Sequence, residues 1–125
     1  MSYLHSWKEN ICIITFNGDV DGAQLAACAN ILIGDSRFNS LKCVALDFLS
    51  IRKLDITKFD LKLLSTFDRT SSRWNKYLKL AGITRDKFTR EMFLEYGELM
   101  MDTHWEVRLF ENTEDAAKWC SGEGK

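Results

Sequence analysis

The chain has 125 residues, of which 46% are hydrophobic and 28% charged, and its formal net charge is −1. This is the size and composition of one soluble domain that can bury its own core, with no overall pull toward nucleic acid or acidic lipid. The N-terminus MSYLHSWKENICII has no apolar run of signal-peptide length, and no apolar stretch is long enough to span a membrane, so a cytoplasmic protein is expected.

Residues 3 to 8 suit an antiparallel first strand. Ile11 to Phe16 (ICIITF) is β-branched and aromatic, too short for a helix, and ends at the turn signal Asn17-Gly18, so it reads as a strand. Asp21 stands where an N-cap would, with Gln24 placed to reach back as a capping box. Leu25, Ala29, Leu32 and Ile33 follow at helical spacing, and Gly34-Asp35 stops the run. Cys43 to Phe48 (CVALDF) is almost continuously apolar, which suits a strand covered on both faces.

Thr57 opens a second helix, on which Phe59, Leu63, Leu64 and Phe67 read as one core-facing stripe with Lys58, Lys62 and Arg69 lying off it. Trp74 to Leu80 (WNKYLKL) alternates as a strand, and Lys76 and Lys79 suit an edge position. Gly82 then breaks the chain, Thr84 caps, and Phe88, Met92, Tyr96 and Leu99 form the apolar face of a third helix. Trp105 to Phe110 (WEVRLF) is the last strand, and Thr113 opens a short helix with Ala116, Ala117 and Cys120 near one face. Strands and helices therefore alternate, which predicts an α/β domain with a largely parallel sheet and right-handed crossovers. One domain is expected over residues 1–120, with a flexible tail over 121–125; there is no repeat, no low-complexity linker and no proline.

The charge is unevenly spread. Residues 51–90 carry eleven Lys/Arg against four Asp/Glu, whereas residues 91–125 carry three against nine. Unless these segments interleave in space, the molecule is a charge dipole. The basic segment, with Trp74 and Tyr77 among its cations, has the composition of a single-strand nucleic-acid surface. A solvated edge strand and helix ends account for it more simply, and a protein partner with an acidic face, such as the C-terminal region of a second copy, is its more natural use.

Most chemistry is excluded by spacing. Asn17, Asp19, Asp21 and Gly22 match the opening of a calcium-binding loop, but the position of the closing bidentate Glu is Cys28 and the ninth position is Leu25. The four cysteines form no C-x-x-C pair and read as reduced, partly buried thiols. No phosphate-binding glycine motif and no nucleophile elbow is present, and neither His5 nor His104 sits in a local motif. No catalytic, cofactor-binding or metal-binding residue is assigned, and an enzyme is not expected.

The series ITFNGDVDGAQL, CVALDFLSIRKLDITKFDL and WEVRLFENTEDAAKWC, spread over roughly residues 10 to 120, resembles the anti-sigma-factor antagonist (STAS, SpoIIAA-like) domains, and more particularly their bacterial relatives of unassigned role. The resemblance implies a four- to five-stranded, mixed, mostly parallel sheet with about four helices packed mainly on one side. It implies a non-enzymatic regulatory module that binds a protein partner, such as a kinase or regulator, and in some relatives a hydrophobic or nucleotide-like small ligand; a homodimer is a separate expectation. Antagonist proteins carry D-S-S-G before the second helix, with a phosphorylated serine at the helix start. Here the matching stretch is Asp55-Ile56-Thr57-Lys58: Asp55 is kept and Thr57 falls on the phosphoacceptor, while Ile56 and Lys58 depart from the pattern. Independently of any family, Thr57 with Asp60 three residues on is a helix N-cap. An alternative function is a carrier or sensor of a small apolar ligand held between the sheet and the helix bearing Phe88, Met92, Phe93 and Tyr96. No nucleic acid, membrane span or cofactor is implied.

Overall fold

The computed structural model describes residues 3–122; Met1, Ser2 and residues 123–125, the end of the expected tail, lie outside the described residues. Five strands form one sheet in the order of the sequence: β1 (Tyr3–Lys8), β2 (Ile11–Asp21), β3 (Cys43–Asp55), β4 (Lys79–Ile83) and β5 (Glu106–Phe110). β1 pairs antiparallel with β2 through the two-residue turn Glu9-Asn10, and every later pair is parallel. The crossovers are α1 (Gly22–Gly34), α2 (Lys58–Ser71) and α3 (Lys87–Leu99), and α4 (Thr113–Cys120) follows the last strand.

The strands show the alternation that a sheet covered on both faces requires. Cys12, Ile14, Phe16, Val44 and Leu80 point into a large core under α1, α2 and α3, where the Phe16 and Phe48 rings stack with centroids 4.7 Å apart. Their neighbours Cys43, Ala45, Ala81 and Ile83 point the other way, into a small cluster closed by Ala116, Trp119 and Cys120 of α4. Among the described residues three helices thus share one face and α4 covers the other.

Two capping boxes set the helix starts. Asp21 accepts from the Gln24 amide at 2.9 Å while Gln24 accepts from the Asp21 amide, and Thr57 and Asp60 do the same for α2. β2 and β3 are longer than the short apolar runs suggested. Beyond the end of β4 they continue as a two-stranded ribbon, bulged between Thr15 and Asn17 and between Gly18 and Asp19, up to the residue before α1 and almost to the cap of α2. Gly18 has φ +68°, a conformation that suits glycine and supplies the ribbon's kink. Ser121 and Gly122, the first residues of the expected tail, form the turn that ends α4.

Four sequence expectations are corrected. Trp74 to Tyr77 is not strand: buried Asn75 donates to the carbonyls of Phe38 and Leu41 at 2.8 and 2.6 Å, and its own carbonyl accepts from Trp105 Nε1 at 2.6 Å. Those bonds fold the segment into turns and move β4 three to five residues along. Gly82 does not break the chain but lies inside β4, because the Phe93 ring packs so closely that a Cβ there would be 2.7 Å from it. The cap of α3 is Asp86, whose carboxylate accepts from the Thr89 amide at 2.9 Å, while Thr84 accepts from the Asp86 amide. The cysteines are also not all reduced. Cys43 and Cys120 are disulfide-bonded across a sequence separation of 77, because β3 and α4 bring their Cα atoms to 5.4 Å. Cys12 and Cys28 are buried thiols, and burial pushes them up to about 11 and about 12.

Candidate functional site

The sequence places one apolar stripe of α2 in the core, and the structure divides it. Leu61, Ser65 and Ser71 are buried and Leu64 and Asp68 are part-buried, whereas Phe59, Leu63 and Phe67 lie on the outside, Phe59 at 68% exposure and Leu63 at 55%. The serines explain the difference. Ser65 and Ser71 can face the core because their hydroxyls donate to the carbonyls of Lys62 and Phe67 within the same helix, at 3.0 and 3.1 Å. With small side chains inward, α2 packs closely between its neighbours and turns three large apolar residues, one turn apart, toward solvent.

That row lies beside α1, whose thirteen residues include no charged side chain and which exposes Ala23, Ala26, Ala27, Asn30 and Ile31. Between the helices runs an apolar groove of about 400 Å³ lined by Ala23, Ala26 and Asn30 on one wall and Leu63 and Phe67 on the other. At the N-terminal end the helices approach so closely that a Cβ on Gly22 would be 2.8 Å from the Asp60 carboxyl carbon. A continuous apolar surface over two helices marks an interaction site more than a solvated face. Lys62 of α2 is exposed, with no ion pair among the described residues.

Asp55, Thr57 and Lys58 are not gathered into one converging cluster. Asp55 is exposed at the end of β3, opposite Asp21 in the ribbon. The Thr57 hydroxyl accepts from the Asp60 amide at 3.1 Å, and the Asp60 carboxylate accepts from the Thr57 amide at 2.9 Å. Lys58 turns toward α3, with Nζ 3.5 Å from Glu95. Thr57 therefore sits next to the groove only through Asp60, which lines its N-terminal end, and its hydroxyl is engaged as a cap.

The charge segments interleave. Lys58–Glu95 and Arg69–Asp102 join the basic stretch to the acidic one, so the expected dipole is partly cancelled. The basic residues also divide between the two ends of β4, with Arg73 and Lys76 before it and Arg85, Lys87 and Arg90 after it. Lys79 is withdrawn further: its Nζ donates to the Trp119 carbonyl at 3.1 Å and lies over the Trp119 ring. The calcium-like residues Asn17, Asp19 and Asp21 lie along β2, where Asp19 pairs with Arg52, which holds its carboxyl below the usual range. His104 is exposed and stacks on Tyr77 with centroids 5.3 Å apart, and His5 Nε2 is 3.6 Å from the Cys28 sulfur. Among the described residues no group of three His, Cys, Asp or Glu side chains is placed to hold a metal ion.

Of the aromatic residues read as a ligand wall, Phe88 is exposed, while Met92, Phe93 and Tyr96 are buried and line an apolar cavity between the sheet and the first three helices. Its volume is about 110 Å³. Sequence reasoning missed Asp68, the only charged residue of that wall among the described residues, which accepts a hydrogen bond from the Tyr96 hydroxyl at 2.5 Å. Burial pushes its carboxyl up to about 6. The signal was a lone Asp on the core side of an amphipathic helix, which is visible only once the inward side is known.

No protein-family model and no curated protein matches the sequence. Among solved structures the chain is similar to an uncharacterized protein of the DUF3478 family with a SpoIIAA-like fold from Shewanella loihica PV-4, with a TM-score of 0.58 and 12% identity over 94% of this chain and 91% of that one. It is also similar to the anti-sigma factor antagonist SpoIIAA in its unphosphorylated form, with a TM-score of 0.63 and 10% identity over 92% of this chain and 93% of that one. Both alignments span the sheet and its helices nearly end to end, and the chain therefore has the SpoIIAA-like fold of STAS domains.

Proposed function

We propose that this chain is a non-enzymatic regulatory module that docks a partner protein on the outer face of α1 and α2. The observation that carries the reading is the exposed row Phe59, Leu63 and Phe67 beside a helix with no charge. The groove suits the apolar face of a partner helix. The role of the anti-sigma factor antagonist, a protein of similar fold, supports a regulatory assignment. Of Asp55, Thr57 and Lys58, the candidate regulatory residues, Thr57 is the one tied to this surface, through its capping partner Asp60, which lines the groove, while Lys58 pairs with Glu95 of α3. Phosphorylation of Thr57 would set a dianion beside the Asp60 carboxylate, dismantle the capping box and so change the groove mouth.

A photo-crosslinking amino acid at Phe67 in the producing cell tests the surface. It should give one discrete adduct that is lost when Ala26→Arg blocks the groove, while the same probe at Met101, exposed at the end of α3, gives none. The same adduct from both positions, or an adduct that survives Ala26→Arg, would overturn the assignment. An adduct of twice the chain mass would identify a second copy as the occupant in place of a heterologous partner.

No described helix is long and apolar enough to cross a membrane. We place the protein in the cytoplasm, where glutathione would reduce the Cys43–Cys120 bond described above. Alkylation of acid-quenched cells tests this: a pair found quantitatively oxidised would move the protein to an oxidising compartment.

The cavity supports a second reading, a carrier or sensor of a small apolar ligand, because its lining is almost wholly apolar and its volume of about 110 Å³ is several times what one water needs.

A further inference from the structure

The cavity is unusual in its one polar feature. Asp68 projects from the core side of α2, and its carboxylate has a single hydrogen bond among the described residues, from Tyr96 to Oδ2. Oδ1 receives none. The other polar groups of the wall are already engaged: the Tyr96 hydroxyl by Asp68, the Trp105 indole N–H by the Asn75 carbonyl at 2.6 Å, and the Cys28 sulfur by His5 at 3.6 Å. The spare acceptors of this wall therefore lie together, Asp68 Oδ1 and the weaker oxygen of the Tyr96 hydroxyl, in otherwise apolar surroundings.

From this we infer that the cavity binds a compact, uncharged molecule with an apolar body no larger than one six-membered ring and a single hydroxyl, which donates to Asp68. The inference rests on the carrier reading and specifies its ligand. Each part follows from the wall. An engineered apolar cavity of about 150 Å³ accepts benzene, so a space of about 110 Å³ admits a ring only with slight swelling, which the flexible Met92 in the wall can supply. An anion is repelled by Asp68. A cation would have to leave water to form a buried pair, at a desolvation cost that the remaining apolar lining does nothing to offset. A neutral hydroxyl satisfies the acceptor without introducing charge.

Calorimetric or NMR titration of the purified chain with benzene, phenol and benzoate at pH 8 tests the inference. Phenol should bind about tenfold more tightly than benzene, and benzoate should not bind. In Asp68→Leu the preference for phenol should vanish while benzene still binds. In Tyr96→Phe, which leaves both Asp68 oxygens free, the preference should persist. That second variant keeps the question answerable if Asp68→Leu does not fold, since loss of the preference in Tyr96→Phe would mean that Asp68 is not the acceptor. Filling the cavity with Ala29→Leu should abolish binding of both neutral probes. Benzene binding without a phenol preference would overturn the inference and leave the carrier reading standing. Failure of both neutral probes to bind would overturn the two together.

Discussion

The Tyr96 hydroxyl of α3 donates a 2.5 Å hydrogen bond to the Asp68 carboxylate of α2, and this pair ties the two helices together over the cavity. Burial raises the Asp68 carboxyl from its ordinary 3.8 to about 6, against the opposing effect of the Tyr96 bond. Between those values the folded chain holds a proton that the unfolded chain releases. Stability should therefore be greatest at low pH with respect to this group, and should fall by on the order of 3 kcal/mol as pH rises from about 4 to about 7. The titratable groups facing it, Tyr96 and Cys28, remain neutral throughout that window. Urea denaturation at a series of pH values should show this slope in the wild type and its absence in Asp68→Asn. Parallel curves for the two proteins would show that Asp68 titrates normally.

The two sides of α2 should respond oppositely to truncation. Leu61→Ala, on the buried side, should cost about 2–4 kcal/mol, whereas Phe59→Ser and Leu63→Ser should change stability by about 0.5 kcal/mol or less. Thermal melts of the three variants decide this. A large loss at Phe59 or Leu63 would mean that the outer row packs against the domain and is not available to a partner.

Gly82 is held to glycine by the Phe93 ring lying over it. Gly82→Ala should cost about 1–3 kcal/mol by overpacking, and Phe93→Leu in the same chain should recover part of that loss. A double-mutant cycle with no coupling between the two sites would contradict the packing described.

Glu9 adopts φ 55° in the turn between β1 and β2, a conformation costly for a residue with a Cβ. Glu9→Gly should stabilise the chain by about 0.5 kcal/mol, the relief of strain being reduced by the greater freedom of glycine when unfolded. A destabilised variant would indicate that the Glu9 side chain contributes something beyond the turn.

Elements whose signals are local were legible in the sequence. Asp21–Gln24 and Thr57–Asp60 are capping boxes written three residues apart, and the β-branched run Ile11–Phe16 can be little but a strand. What escaped was set by distant partners. The turn around Asn75 exists because carbonyls at Phe38 and Leu41 need a donor, and Gly82 belongs to a strand because of a ring eleven residues away. The orientation of α2 was hidden for a related reason: buried Ser65 and Ser71 satisfy themselves on their own helix, so residues that look like a solvent face line the core. The candidate surface followed from that inversion and was not visible before it.

The order of the strands bears on how the chain is made. From β2 onward each strand pairs with the one just before it in sequence, so during synthesis every new strand meets an edge that already exists. α4 returns to an earlier strand, crossing the opposite face of the sheet to place Cys120 against Cys43. Until α4 has emerged from the ribosome, the wall formed by Cys43, Ala45, Ala81 and Ile83 is bare, and a helix made after all five strands is the one that seals it.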